Sequence, residues 1–194
     1  MRIPRLFCLL SLSVLAGCQY LPRSYYFTPP ENEPNPAWIR IVNFTQHAEI
    51  YQYEGGVRSG GAVRSGPLPL VNTQDKGMPK AGQDLTFDFY ESPLRPGLET
   101  HVDMFWEGSE TRHCFVSATF IPKPGQYYQF LMSSGASGTC RMSPTLVERD
   151  ENGSGWRLKP NPDVTYPDGS AVGKTFYSDD RYKDPNYKPF SPPT

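Results

Sequence analysis

The chain has 194 residues and a formal net charge of −1, and it contains 17 glycines and 21 prolines. These two residue types make up about a fifth of the chain, against a usual share of roughly 12%, which argues against a helical bundle. The near-neutral charge provides no broad basic field for a phosphate backbone, so no nucleic-acid partner is expected.

The N-terminus has the pattern of an export signal. Two cations, Arg2 and Arg5, precede a short apolar run over residues 6–14. Because a bilayer core requires about 20 apolar residues in a helix, this run fits a signal peptide better than a membrane span.

The four residues Leu15-Ala16-Gly17-Cys18 follow this run. They resemble the lipobox of bacterial lipoproteins. The resemblance implies that a diacylglyceryl group is attached to the Cys18 sulfur, that the mature chain begins there, and that its amine is acylated, for example with palmitate. Three acyl chains exceed the two signals that stable anchoring requires. Since Gln19 rather than Asp follows, the resemblance implies sorting to the outer membrane, facing the periplasm. In a host with one membrane it implies the cell envelope.

The remaining cysteines predict one disulfide. Cys8 leaves with the signal peptide and Cys18 is modified, so Cys114 and Cys140 are left as a pair. Oxidation is expected outside the cytoplasm, and the bridge is expected to stabilise the fold by about 3 kcal/mol. No Cys-x-x-Cys spacing supports a redox function instead.

The mature chain predicts a mainly β fold. Short segments rich in β-branched and aromatic residues, several alternating with a period of two, are separated by Gly and Pro turns. The predicted strands lie at 38–44, 48–53, 85–90, 101–106, 114–120, 126–132, 140–149 and 156–158. Seven or eight such strands predict a small antiparallel β-sandwich or a partly open barrel with one disulfide.

Composition divides the chain into four parts. The boundaries are a signal peptide at 1–17, a lipidated Pro-rich tether at 18–36, a β-sandwich domain at 37–159 and an irregular Pro/Tyr-rich tail at 160–194. Prolines favour extended backbone in the tether. Its full extension would reach roughly 50 Å at about 3.1 Å per residue.

The repeated segment Val-Arg-Ser-Gly contains two candidate anion-binding arginines, Arg58 and Arg64, on a glycine-rich backbone. Arginine suits a phosphate or a carboxylate. The alternative interpretation, which the glycines favour, is a long mobile hairpin loop.

Two further segments are candidate partner sites. The Ser/Gly-rich loop at 133–139 contains Ser134 and Ser137, and it resembles a loop of periplasmic lysozyme inhibitors, which implies inhibition of a cell-wall-degrading enzyme. In the tail, Tyr182 and Tyr187 begin the two copies of a loose repeat, Tyr-Lys-Asp-Pro and Tyr-Lys-Pro. A mobile surface segment is the plainer interpretation of that repeat.

No catalytic or metal motif is recognised. The three histidines lack metal-ligand spacing, so neither a metal nor a cofactor is expected. His101 and Asp103 share a strand face, but no serine in a nucleophile-elbow context accompanies them. The sequence therefore predicts a non-catalytic, lipid-anchored binding or assembly module that presents its loops or its tail to an envelope partner. The alternatives are a lysozyme-type inhibitor and an accessory lipoprotein of a secretion apparatus.

Overall fold

A computed structural model describes residues 26–42, 47–63, 73–82, 89–107, 112–134, 139–167 and 169–177. Every regular element in these ranges is a strand. The strands are Ala37–Val42 (β1), His47–Glu54 (β2), Val57–Ala62 (β3), Phe89–Leu94 (β4), Glu99–Glu107 (β5), Arg112–Phe120 (β6), Tyr127–Ser134 (β7), Cys140–Arg149 (β8), Trp156–Pro160 (β9) and Lys174–Tyr177 (β10). None of the described segments forms a helix of the length and apolar character needed to cross a bilayer.

The strands form two five-stranded sheets. The first sheet has the order β4-β1-β7-β8-β9 and the second has the order β10-β6-β5-β2-β3. Alternate residues point between the sheets and form one core, in which the side chains of Ile39, Ile50, Met104 and Phe130 are fully buried. The predicted sandwich is confirmed.

The predicted disulfide is also confirmed. Cys114 on β6 is bonded to Cys140 on β8. Both cysteines are buried in the core, so the bridge joins the two sheets. Val172 pairs with Arg141 of β8, and the next residues form β10, which pairs with β6. The β10 edge therefore lies beside the β9 edge, and the β3 and β4 edges lie on the far side of the fold.

Two connections differ from the sequence prediction. The pair β1–β7 is parallel, with Trp38 beside Tyr127, in an otherwise antiparallel sandwich. The Pro/Gly turn after Phe120 does not join β6 and β7 into a hairpin, since these strands belong to different sheets and the segment 121–126 crosses between them. A Pro/Gly signal marks a turn, but it does not specify which strand pairs next.

The glycine-rich segment is not the long mobile loop that the sequence favoured. Gly55 and Gly56, with φ of 57° and 82°, form a two-residue turn, and β3 pairs with β2 from Val57 to Ala62. Two consecutive positive φ values are what a type I′ hairpin requires. The glycines therefore form the turn and a strand.

Gly60 is required by its packing against β2. A Cβ atom at this position would lie 2.1 Å from the Ile50 carbonyl oxygen, and φ is +130°. We expect Gly60→Ala to lower the free energy of unfolding by roughly 1–3 kcal/mol. Gly155→Ala is the control, since its Cβ would meet only the Asp150 side chain, at 3.1 Å. Equal stability of the two variants in urea denaturation would contradict this account.

Parts of the predicted tether and tail belong to the sandwich. Phe27 is buried in the core, and its backbone N–H donates to the Ala62 carbonyl at 2.9 Å. At the other end, Thr165 pairs with Thr119, and β10 pairs with β6. Composition alone does not reveal that a Pro-rich segment is attached to the sandwich, because the attachment depends on one apolar side chain, Phe27, that fits the core.

Candidate functional site

The outward face of the first sheet carries a row of apolar side chains. One outward side chain from each strand lies in register across all five strands. The row consists of Pro93, Trp38, Tyr127, Val147 and Leu158. Except for Val147, which is buried, each of these side chains is only partly buried. An apolar row across a whole sheet face is a feature of interaction sites.

A cluster that we call the Trp156 surface lies at the β9 end of this row. It consists of Tyr127, Val147, Arg149, Trp156 and Leu158. The Tyr127 and Trp156 rings are nearly perpendicular, at 82°, with their centroids 5.7 Å apart. The Arg149 guanidinium lies 4.5 Å from the Trp156 ring centroid. Trp, Tyr and Arg are the residue types enriched among the hot spots of protein interfaces.

A shallow pocket opens beside these rings. Its volume is about 220 Å³, and its lining includes Tyr127, Val147, Trp156, Gln126 and Glu148. This is smaller than the roughly 300–1,000 Å³ of pockets for drug-sized ligands. It therefore has room for one side chain or one small ring.

The charge on the outward side of the Trp156 surface comes from Arg149, which is exposed. Arg141, the other exposed arginine of β8, lies roughly 26 Å away along the strand. Among the outward positions of the described strands in this sheet, Glu91 has the one carboxylate, and Arg40 binds it at 2.6 Å. Glu148, which lines the pocket, accepts from Arg157 at 2.9 Å. Arg149 is therefore a cation beside aromatic rings that no described carboxylate pairs with.

The outward face of the other sheet has the opposite character. Glu49, Glu99 and Asp103 lie on β2 and β5, and Glu49 lies directly opposite Asp103. The Tyr51 hydroxyl donates to Glu49 at 2.7 Å, and the Ser117 hydroxyl donates to Asp103. Burial, with a smaller contribution from the Glu49 hydrogen bond, raises the pKa of Tyr51 above its ordinary value.

Burial is also the main cause that raises the pKa of Asp103. The Ser117 hydrogen bond opposes this shift, Glu49 adds to it, and His101 and Arg58 oppose it. A carboxyl group whose pKa is raised by folding contributes stability below its unfolded pKa of about 3.9. That contribution is lost as the pH rises through the folded pKa.

We therefore expect Asp103→Asn to stabilise the protein at pH 7, by about 0.2–1 kcal/mol, the range for like charges that face each other across strands. The gain should disappear as the pH falls toward 4. Urea denaturation at several pH values measures it. Glu99→Gln, at an exposed carboxyl, should change stability by less than about 0.5 kcal/mol. A loss of stability in Asp103→Asn at pH 7 would show that the carboxylate is favourable.

The structure does not form the His–Asp pair that the sequence considered. The His101 Nε2 atom lies 2.8 Å from the Glu99 carboxylate, whereas Asp103 is bound by Ser117. In the described part of the chain, no group of three or more His, Cys, Asp or Glu side chains could hold a metal ion.

Arg58 is the sequence-predicted binding residue whose side-chain position the structure describes. It is exposed, and its guanidinium lies 4.5 Å from the Tyr51 ring centroid. Ser134 ends β7, where its backbone pairs with Cys140. The other candidate positions lie outside the described residues: Cys18, Arg64, Ser137, Tyr182 and Tyr187.

Sequence reasoning missed the Trp156 surface. Its residues come from three strands, and their contact depends on the register of β7, β8 and β9. The available signal was an aromatic residue at the start of two predicted strands, Tyr127 and Trp156. In comparisons with known proteins, no family model, curated protein or solved structure matches the chain.

Proposed function

We propose that the protein is a lipid-anchored, non-catalytic binding module of the cell envelope, which uses the Trp156 surface to hold an envelope partner. The observation that carries the proposal is the partly exposed apolar row of the first sheet together with the Trp156 surface at its β9 end, which adds the Trp156 ring, a pocket and an arginine. Exposed apolar surface of this kind typically marks an interaction site.

The disulfide and the lipobox support an envelope location. A disulfide buried in the core suits a protein that folds outside the cytoplasm. The lipobox residues Leu15-Ala16-Gly17-Cys18 would then attach the mature chain to the membrane, and Gln19 favours the outer membrane.

The position of the tether suits such a module. The first described residue, Tyr26, pairs with Ala62 at the β3 edge. The Trp156 surface lies at the β9 edge, about four strand spacings of roughly 4.8 Å away across the fold. Even if fully extended, the segment from Cys18 to Tyr26 spans at most about 30 Å. The chain would therefore enter the fold within about 30 Å of the anchored Cys18, at the edge away from the Trp156 surface.

Metabolic labelling with a palmitate analogue tests the anchor. We expect the wild-type protein to be labelled and to fractionate with the outer membrane, and Cys18→Ser to lose both properties. Cys8→Ser is the matched control, because that cysteine precedes the cleavage point and should leave labelling unchanged. An unlabelled wild-type protein, or a mature N-terminus mapped to another residue, would contradict the proposal.

A further inference from the structure

We propose that the partner of the Trp156 surface is an acidic protein segment that inserts one apolar side chain into the pocket beside the Tyr127 and Trp156 rings and places a carboxylate on Arg149. This inference rests on the proposed function and adds the chemistry of the partner.

The pocket admits one side chain. The Tyr127 and Trp156 rings and the buried Val147 side chain form the apolar part of its lining. At about 220 Å³, the pocket is the size of a single residue rather than of an extended ligand. Burial of one aliphatic or aromatic side chain there favours binding, because it removes apolar surface from water.

The charge of this surface comes from Arg149. Its side chain is exposed and lies against the Trp156 ring, and no described carboxylate forms a salt bridge with it. An arginine that stacks on an aromatic ring keeps its N–H groups available at its edge for a bidentate carboxylate contact. Of the carboxylates nearby, Glu148 and Glu151 are paired with Arg157, and Asp150 accepts the Ser154 hydroxyl in the turn between β8 and β9. The partner group that complements Arg149 is therefore a carboxylate.

Two peptides provide a defined probe: a fluorescent 12-residue peptide in which glutamates flank a central leucine, and its counterpart with glutamine at each glutamate position. We expect the glutamate peptide to bind the mature chain at least tenfold more tightly than the glutamine peptide in fluorescence anisotropy. Binding should weaken with added salt.

The chain supplies a matched control for the arginine. Arg58 stacks on Tyr51 at the same 4.5 Å distance, on the other sheet. We expect Arg149→Glu to weaken peptide binding at least tenfold, Trp156→Ala to do the same, and Arg58→Glu to change it less than twofold. Circular dichroism and urea denaturation verify that the variants remain folded.

Four outcomes would overturn the inference. The first two are equal affinity for the two peptides and an equal loss of peptide affinity in Arg149→Glu and Arg58→Glu. The other two are self-association of the chain through this face and binding of chitotriose that depends on Trp156 but not on Arg149. Each of these outcomes leaves palmitate labelling at Cys18 unaffected, so failure of the inference is distinguishable from failure of the proposed anchor.

Discussion

Replacing Glu91 by glutamine is expected to lower the free energy of unfolding by about 3–5 kcal/mol, the largest effect of any substitution considered in this protein. Arg40 and Glu91 are almost completely buried, at 1% and 0% exposure. Removing one charge leaves the other without a counter-charge inside the fold, and this unpaired buried charge is the cause of the loss.

The Arg40 guanidinium is fully hydrogen-bonded. Its Nε and one terminal nitrogen donate to Glu91, and the terminal nitrogens also donate to the carbonyls of Met78 and Pro79 and to the side-chain oxygen of Gln129. The second carboxylate oxygen of Glu91 accepts the backbone N–H groups of Lys76 and Met78. The network therefore holds the segment 73–80 against the outward face of β4, β1 and β7.

Chemical denaturation of three variants tests this prediction. The double variant Arg40→Met with Glu91→Leu should lose much less stability than Glu91→Gln, because it removes both charges together. Arg95→Met, which breaks an exposed pair with Glu54 at 2.9 Å, should cost less than about 1 kcal/mol. A double variant as unstable as Glu91→Gln would show that the packing of these two side chains, rather than an unpaired buried charge, determines the loss of stability.

Removing the disulfide is the second large effect. We expect the double variant Cys114→Ala with Cys140→Ala to lose about 3 kcal/mol, because the bridge closes a loop between residues 26 positions apart and so restricts the unfolded chain. The loss is measured by urea denaturation. The oxidised wild-type protein, treated with a reductant, is the independent comparison. A double variant as stable as the oxidised protein would contradict the prediction.

The same substitution should loosen the C-terminal segment. Gly173 packs directly on the bridge, since a Cβ atom at this position would lie 2.5 Å from both disulfide sulfurs. The backbone N–H of Gly173 also donates to the Cys140 carbonyl at 2.8 Å. We expect limited proteolysis within 170–177 to be faster without the bridge. Unchanged cleavage at these residues would show that β10 is held by its pairing with β6 alone.

The alternation of apolar residues predicted much of the fold. The strand at Cys140–Arg149 was predicted with the bounds that the structure has. In the strand predicted at 114–120, the alternate residues Cys114, Val116, Ala118 and Phe120 all lie in the core. These predictions succeeded because a period of two assigns residues to a sheet face without knowledge of the neighbouring strand.

Features that depend on strand pairing were not predictable. The sequence prediction ended one strand at Tyr90, whereas β4 continues to Leu94, so the partner of Arg40 was not recognised. A lone arginine within the apolar strand β1 indicates an unusual environment for Arg40. That Glu91 lies beside it follows only from the register in which β1 pairs with β4. The Trp156 surface was missed for the same reason, since its side chains meet across three strands.

Photo-crosslinking in intact cells tests the central claim most directly. With p-benzoylphenylalanine at Tyr127, the account predicts a crosslink to one envelope protein, and Cys18→Ser should abolish this crosslink. The same photoreactive residue at Tyr53, which stacks on His101 on the opposite sheet, should give none. Crosslinking from Tyr53 and not from Tyr127, or equal products from both positions, would contradict the claim that the Trp156 surface holds the partner.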